Sequence, residues 1–405
     1  MTLTTRVLLG LVAGTLLGLA LAGSQAPLAV STLAVLSAVG GVFVDLIRMT
    51  AMPLVASLVV ASIGAATAGG LGRAGRRATV MAAAMLAVAT LGTILVAQPV
   101  LQSVSPDPAA ITSAASTASP ASLAAPTGLA QWVRELVPPN VAKAAADGAM
   151  LPLIVFAVLF GLALARVSPG RRDAVLGLVE GVAEAMQLLV GWILRLAPLG
   201  VFALAVPLAS RLGLTAAGAV VTYVALVVAI TVVAIGLLYP FGMLAGRMSA
   251  RAFVSYCAPP QALAFASRSS LATLPAMVQA AERAGFEPSA ARVVLPLAVS
   301  VFKFGTAVAQ TVGVLFLARL NGVAFGPVDL ASVAFTVVLS SLAVPGIPGG
   351  SIIAIVPVLS AAHLPLEGIG LLLAVDTIPD MVRTVANVTG ALTLAAVTRD
   401  KPARL

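Results

Sequence analysis

Long uncharged apolar stretches alternate along this chain with short basic connections. Charge-free segments run from Arg6 to Asp45, Arg48 to Arg73, Arg77 to Asp107, Asp147 to Arg166 and Arg211 to Arg247. Several exceed the roughly 20 residues that carry a helix across a hydrocarbon core. The apolar runs predict spanning helices near 6–24, 32–66, 78–103, 129–166, 175–208 and 214–246. A transmembrane β-barrel would show strands of roughly 10 residues alternating polar and apolar positions, and no such alternation is present. The chain therefore reads as an all-α membrane protein.

Beyond residue 246 the pattern changes. Over about 250–398 the apolar runs are shorter and broken by polar and helix-breaking residues. Ser267-Arg268-Ser269-Ser270 interrupts one run, and Val344-Pro345-Gly346-Ile347-Pro348-Gly349-Gly350-Ser351 interrupts another. Pro removes a backbone donor and Gly loosens the chain, so neither sequence continues a helix. Broken backbone at membrane depth is tolerated where it lines a cavity or is buried in protein. Two such segments point to a transporter binding site; the bland alternative is a pair of ordinary loops outside the membrane. The stretch 101–130, rich in Ser, Ala, Thr and Pro, is expected to be an external loop without a domain of its own.

Composition fits this reading: 60% of the 405 residues are hydrophobic, 9% are charged, and mean hydropathy is +1.11. The net charge of +9 would suggest nucleic acid if it were gathered on one surface. Instead Arg73, Arg76, Arg77, Arg166, Arg171, Arg172, Arg247, Arg251, Arg399, Lys401 and Arg404 lie in short connections or at the C-terminus. The positive-inside rule then makes these cytoplasmic and the 101–130 stretch external, with both termini in the cytoplasm. The expectation is a multi-pass protein of the cell's inner membrane, with the lipid bilayer and no nucleic acid as partner. The first apolar run is expected to be a spanning helix, not a cleaved signal. Cys257, the one cysteine, excludes an intrachain disulfide and is expected to be a packing residue.

A few charges fall inside apolar surroundings. Lys303 is the one charge between Arg292 and Arg319, and Asp376, Asp380 and Arg383 lie within the last apolar run, Leu371 to Leu394. Their spacings, i, i+4 and i, i+3, place the three on one side of a helix. Charges at that depth face a protein interior or a water-filled cavity. Asp380 with Arg383 is either a structural ion pair or a recognition pair, the guanidinium fork suiting a carboxylate and the aspartate an ammonium. Asp45 with Arg48, and Glu184 with Arg195, read as structural charges near helix ends. His363 is expected on an external turn. No metal-ligand cluster, nucleotide loop or hydrolase motif occurs, so an enzyme and a cofactor are not expected.

These residues carry a family resemblance. Ser267-Arg268-Ser269-Ser270-Leu271-Ala272-Thr273-Leu274-Pro275 resembles the serine-rich first re-entrant hairpin of the glutamate transporter homologues, the dicarboxylate/amino acid:cation symporters. Val344-Pro345-Gly346-Ile347-Pro348-Gly349 resembles their second hairpin tip. Asp376-Thr377-Ile378-Pro379-Asp380-Met381-Val382-Arg383-Thr384-Val385-Ala386-Asn387-Val388-Thr389-Gly390 resembles their last helix. Ile47-Arg48-Met49-Thr50-Ala51-Met52-Pro53-Leu54 and Leu196-Ala197-Pro198-Leu199-Gly200-Val201-Phe202-Ala203 fit as well, so the resemblance covers nearly the whole chain.

The resemblance implies eight transmembrane helices plus two re-entrant hairpins, a homotrimer, and an elevator-type mechanism. Residues 1–77 and 129–210 would form a fixed scaffold, 78–103 and 211–398 a sliding transport domain, 104–128 an external loop and 399–405 a cytoplasmic tail. Arg383, helped by Thr306, would hold a side-chain carboxylate and Asp380 the amino group. Asn387, Ser270, Ser269 and the tip residues Pro345, Gly346 and Gly349 would hold the α-carboxylate, and Ile347, Pro348 and Gly350 would belong to the gate. An acidic amino acid is the expected substrate. A C4-dicarboxylate carrier, an uncoupled exchanger and a membrane protein that binds without transporting are the alternatives.

The departures from the family are specific. Where it has Asn-Met-Asp-Gly-Thr, this chain has Phe302-Lys303-Phe304-Gly305-Thr306; Ala391 replaces a carboxylate; and Met81-Ala82-Ala83-Ala84-Met85 replaces hydroxyl-bearing ligands. A hard cation needs several oxygen ligands, so sodium independence is expected and no metal is assigned. Lys303 and Asp376 are the candidate coupling groups. An amine held between Phe302 and Phe304 either exchanges a proton during transport or stays charged and locks the fold.

Overall fold

The computed structural model describes residues 3–68, 73–103, 134–212, 215–286, 288–342, 344, 350–366 and 368–398. In these residues every regular element is a helix. The first eight are α1 (Leu3–Leu21), α2 (Pro27–Ala68), α3 (Arg73–Ser103), α4 (Val141–Ala146), α5 (Met150–Leu164), α6 (Pro169–Arg195), α7 (Ala197–Leu212) and α8 (Thr215–Ala245). The remainder are α9 (Ala250–Ser267), α10 (Ser270–Arg283), α11 (Pro288–Val301), α12 (Phe304–Leu320), α13 (Pro327–Ser341), α14 (Gly350–Ile353), α15 (Val356–Ala361), α16 (Gly368–Val375) and α17 (Thr377–Thr398). Six helical stretches among the described residues are long and apolar enough to cross a membrane.

Two expected spans are each divided in two. The run 129–166 contains α4 and α5, separated at Gly148, whose φ of +69° turns the chain as most other residues would not. The run 175–208 belongs to α6 and α7: α6 starts earlier, at Pro169, and ends at Arg195, because Pro198 lacks the donor that would carry the helix onward. The last apolar run is also divided, with Asp376 at the break between α16 and α17.

The helices pack in two groups. In the first, α1 lies along α7, and α2 packs on α5, α6 and α7. Gly10, Gly14 and Gly18 repeat every fourth residue on α1, and a Cβ at each would run into the backbone oxygen of Pro198, Phe202 or Val206 on α7. Small residues at this spacing let helix backbones touch, the usual basis of association in lipid. In the second group α12 and α17 are central. α17 packs on α8, α9, α11 and α12, while α3 packs on α12 and α13. Every residue of α12 from Phe304 to Ala318 is buried, the polar Thr306, Gln310 and Thr311 included.

The first break in the C-terminal part forms a helical hairpin. α9 ends at Ser267, and Arg268 takes the left-handed conformation at φ 55°. The Ser269 hydroxyl then caps α10 by accepting from the Ala272 N–H at 3.2 Å. α9 and α10 pack on each other and on α17. The second interruption lies between α13 and α14. Its calls at Pro345, Gly346, Ile347, Pro348 and Gly349 fall outside the described residues, as do the 104–130 stretch and 399–405. His363 is exposed in a turn, as expected, and Cys257 is buried. Asp45, Arg48, Glu184 and Arg195 are exposed, and no ion pair joins Asp45 to Arg48 or Glu184 to Arg195. The structural pairing anticipated for them is not formed.

Candidate functional site

The start of α17 brings together the charges singled out in the sequence. Arg383, on the second turn of the helix, reaches back to Asp376 at the helix break. Its Nη1 donates to Oδ1 at 2.8 Å and its Nη2 to Oδ2 at 2.9 Å. The same Nη2 donates to Asp380 Oδ1 at 2.6 Å. These are the fork geometry and short distances of charge-assisted bonds. All three side chains are buried, Arg383 to 2% exposure. Arg383 Nε has no hydrogen-bond partner among the described residues. A buried donor left so is costly and draws a ligand or water.

Asp380 is bound from a second side. Arg268, at the tip of the α9–α10 hairpin, donates from Nε to Asp380 Oδ2 at 3.0 Å. The hairpin is thereby tied to α17 by an ion pair as well as by packing. Sequence reasoning placed Arg268 in the hairpin motif but gave it no role. Its signal was a lone cation amid serines at a helix break.

Polar side chains from three further elements gather beside this cluster. The Asn387 Oδ1 on α17 accepts from the Thr306 backbone N–H at 3.2 Å, satisfying a donor in the first turn of α12. Asn387 Nδ2 donates to Thr306 Oγ1 at 3.4 Å, and Thr306 Oγ1 meets Ser351 Oγ of α14 at 3.3 Å. Thr306, Asn387 and Ser351 are buried, as is Ser270 at the start of α10. Gly305 brings α12 against the Arg383 carbonyl and Ala386, closer than a side chain would allow. Gly350 is buried at the start of α14. The structure therefore joins Arg268, Asp376, Asp380 and Arg383 by ion pairs and Thr306, Asn387 and Ser351 by hydrogen bonds, with Ser269 and Ser270 following Arg268 at the start of α10. Sequence reasoning had quoted Arg268 and Ser351 within the two interrupting motifs but given neither a place in the site.

Lys303 is not paired with Asp376, the other candidate coupling residue, or with Asp380. It sits in the gap between α11 and α12, is 1% exposed, and its Nζ donates to the carbonyl oxygen of Val299 in the last turn of α11. It forms no ion pair with Asp376 or Asp380, whose oxygens are taken by the two arginines. A cation on the terminal carbonyls of a helix is favoured by the helix dipole. Phe302 and Phe304 are buried on either side of it in sequence, with ring centroids 6.3 Å apart. Both press on Gly390 of α17, where an added Cβ would lie 2.8 Å from Phe304 Cβ and 3.0 Å from Phe302 Cε1. The next residue, Ala391, is fully buried.

Comparison with known proteins agrees with the geometry. The model of the sodium:dicarboxylate symporter family matches residues 3–401. The chain is 29% identical over 361 residues to the proton/glutamate-aspartate symporter of Escherichia coli, an alignment covering 88% of this chain and 82% of that protein. It is 27% identical over 409 residues to the proton/sodium-glutamate symport protein of Bacillus caldotenax, covering 98% and 94%. A C4-dicarboxylate transport protein of Yersinia enterocolitica is also 27% identical, over 368 residues that cover 87% of this chain and 82% of that one.

Proposed function

This chain belongs to the sodium:dicarboxylate symporter family, a family of membrane transporters and not enzymes, and we propose that it carries acidic amino acids across a cytoplasmic membrane without sodium. The observation that supports the substrate class is the buried Arg383, with one guanidinium nitrogen unpartnered among the described residues, set beside the carboxylates of Asp376 and Asp380. Arg383 would receive the side-chain carboxylate and Asp380 the amino group. Ser270, Thr306 and Asn387 would hold the remaining polar atoms. Two relatives are named for glutamate and one for C4-dicarboxylates. The aspartate at 380 favours a substrate with an ammonium, because a dicarboxylate would face an anion there.

Sodium independence rests on Phe302, Phe304 and Ala391. The two rings fill the space against Gly390 with apolar surface, and a hard cation would find few side-chain oxygens there. Lys303 adds a positive charge in the same region.

The two packing groups support a division into a scaffold of α1, α2 and α4–α7 and a sliding unit of α3 and α8–α17. In that reading the molecule has eight spanning helices and two re-entrant hairpins, assembles as a trimer, and keeps both termini in the cytoplasm. The residues around Gly350 act as the gate. A proton cycle at Lys303 is the coupling reading that the sequence suggests. The seat of the ammonium on the Val299 carbonyl, at the C-terminal end of α11, favours a fixed charge.

Aspartate, glutamate, succinate and serine binding to the purified protein and to Arg383→Ala tests the substrate assignment. The variant should lose the acidic amino acids by at least about 100-fold, the loss expected when a buried charged group is left unpaired. Unchanged aspartate affinity would sink it. Uptake into proteoliposomes with choline in place of sodium should persist, and strict sodium dependence would refute the ion reading.

A further inference from the structure

Among the described residues, the buried ionisable side chains are Lys303, Asp376, Asp380 and Arg383, with Arg268 partly buried on Asp380. The other charged side chains described in the same helices, Arg247, Arg251, Glu282 and Arg283, are exposed, and Arg319 and Asp329 lie at or near helix ends with partial exposure. Within the cluster, Arg268, Asp380, Arg383 and Asp376 form a chain of ion pairs in which two cations meet two anions. Lys303 stands outside that chain. It is the third buried cation, and the partner it has is a neutral carbonyl. Among the described residues this group, the partly buried Arg268 included, therefore sets three basic side chains against two carboxylates.

We infer that Lys303 sets this surplus of one positive charge to match one substrate monoanion, so that the loaded core is electrically neutral and the protein works as an exchanger of monoanionic amino acids. The inference rests on the proposed transport of acidic amino acids by a sliding unit. An acidic amino acid carries two carboxylates and one ammonium, hence one net negative charge. It cancels the surplus, whereas a dicarboxylate would overshoot to a net negative core and a neutral amino acid would leave the surplus in place.

The consequence for transport follows from electrostatics. The seam between the packing groups includes apolar contacts: Leu204 of α7 covers Gly370 of α16, and α16 also packs on α1. An uncompensated charge carried past such a surface is penalised by lost solvation, and a balanced one far less. The empty unit is then slow to cross and the loaded unit crosses freely, which is the kinetic definition of exchange. Membrane potential acts in the same sense. A unit charge crossing the whole field redistributes by about 50-fold for each 100 mV, so the empty crossing responds to potential and the loaded crossing does not. Net uptake of a monoanion with no accompanying cation would also run against an inside-negative potential. One-for-one exchange avoids that.

The test uses proteoliposomes containing the full-length protein, loaded with aspartate and clamped with valinomycin and potassium gradients at zero and at 100 mV of either sign. Exchange of labelled for unlabelled aspartate should vary by less than about twofold with potential. Net efflux into aspartate-free medium should be at least about tenfold slower than exchange and vary several-fold. In Lys303→Met the charge moves to the loaded unit, so exchange should become potential-dependent, while net efflux, which carries one negative charge in either protein, stays potential-dependent. Should that variant not fold, the wild-type comparison decides alone. Exchange as steeply potential-dependent as net efflux overturns the inference while leaving the transport reading intact, and so does an unchanged pattern in a folded Lys303→Met. No aspartate movement of either kind overturns the transport reading itself.

Discussion

Asp376 and Asp380 share one buried guanidinium, and Arg268 holds the far side of Asp380. In such a set each member is tolerated because its partners are present. Burial strips water from every ion, and the mutual attraction returns that cost only while the geometry is complete. Removing Arg383 leaves Asp376 without an ion-pair partner among the described residues, so Arg383→Ala should destabilise the protein by about 3–5 kcal/mol. Adding Asp376→Asn should recover a large part of that loss, because the orphaned charge disappears with it, yet it should not restore binding of acidic amino acids. Thermal unfolding in detergent and aspartate titration, run on the single and double variants, separate the two effects. A double variant no more stable than Arg383→Ala would show that the ion pairs are not what holds this part of α17. The spacing of these residues was legible in the sequence, since i, i+4 and i, i+3 put them on one helix face. What it did not reveal is that Asp376 lies at a helix break and takes both forks of the arginine. Nor did it reveal that Arg268 arrives from a hairpin 112 residues away in sequence, because contacts between distant segments have no local periodicity.

At the scale of elements, the breaks were easier to read than the helices. Ser267–Ser270 and the Pro/Gly run after Val344 announce themselves by removing donors or loosening the backbone. The junctions at Gly148 and Leu196 were read through. Lys143 and Asp147 before the first and Arg195 before the second are few charges within long apolar runs, and hydropathy averaged along such a run does not register a turn made by a single glycine or proline. Helix contacts made by glycine were hidden for the same reason: Gly305 and Gly390 look like weak points in a helix until α12 is seen lying on α17. Both sites have a directional prediction. Gly390→Ala pushes a methyl group against Phe304 Cβ at 2.8 Å and Phe302 Cε1 at 3.0 Å, and overpacking of this kind costs about 1–3 kcal/mol. The Phe302 ring can move but Phe304 Cβ cannot, so Gly390→Ala combined with Phe302→Leu should regain part of the lost stability. Gly305→Ala meets the Arg383 backbone carbonyl and Ala386 Cβ, neither of which can rotate away. It should be the more damaging of the two and resist rescue by trimming Phe302. Equal melting temperatures for the two alanine variants would contradict this account of the α12–α17 contact.

For the molecule as a whole, the basic connections and the apolar runs tell one story. The described arginines Arg77, Arg166, Arg171, Arg172, Arg247 and Arg251 lie at helix ends or in the turns beside them, where a bilayer's surface would accept them. The proposed orientation follows from the positive-inside rule: the turn between α5 and α6, with Arg166, Arg171 and Arg172, would face the cytoplasm, and the stretch between α3 and α4 would face outward. Charge bias could set this orientation, but how the helices sort into two packing groups depends on small-residue seams such as Gly10, Gly14 and Gly18 on α1, which apolar composition alone does not reveal. Topology is open to direct measurement because the chain has one cysteine, Cys257, buried and unpaired. On a Cys257→Ala background, single cysteines at Ala115 and Gly170 place one probe in each of the two connections. An added side chain at Gly170 meets no atom within 4 Å, so that substitution should not disturb the start of α6. In intact cells a membrane-impermeant maleimide should label the cysteine at 115 and spare the one at 170. After permeabilisation both should react. Protection at 115 with labelling at 170 would invert the topology and with it the direction in which the gate opens. Labelling at both positions in intact cells would mean that the arginine clusters do not mark a single side of the membrane.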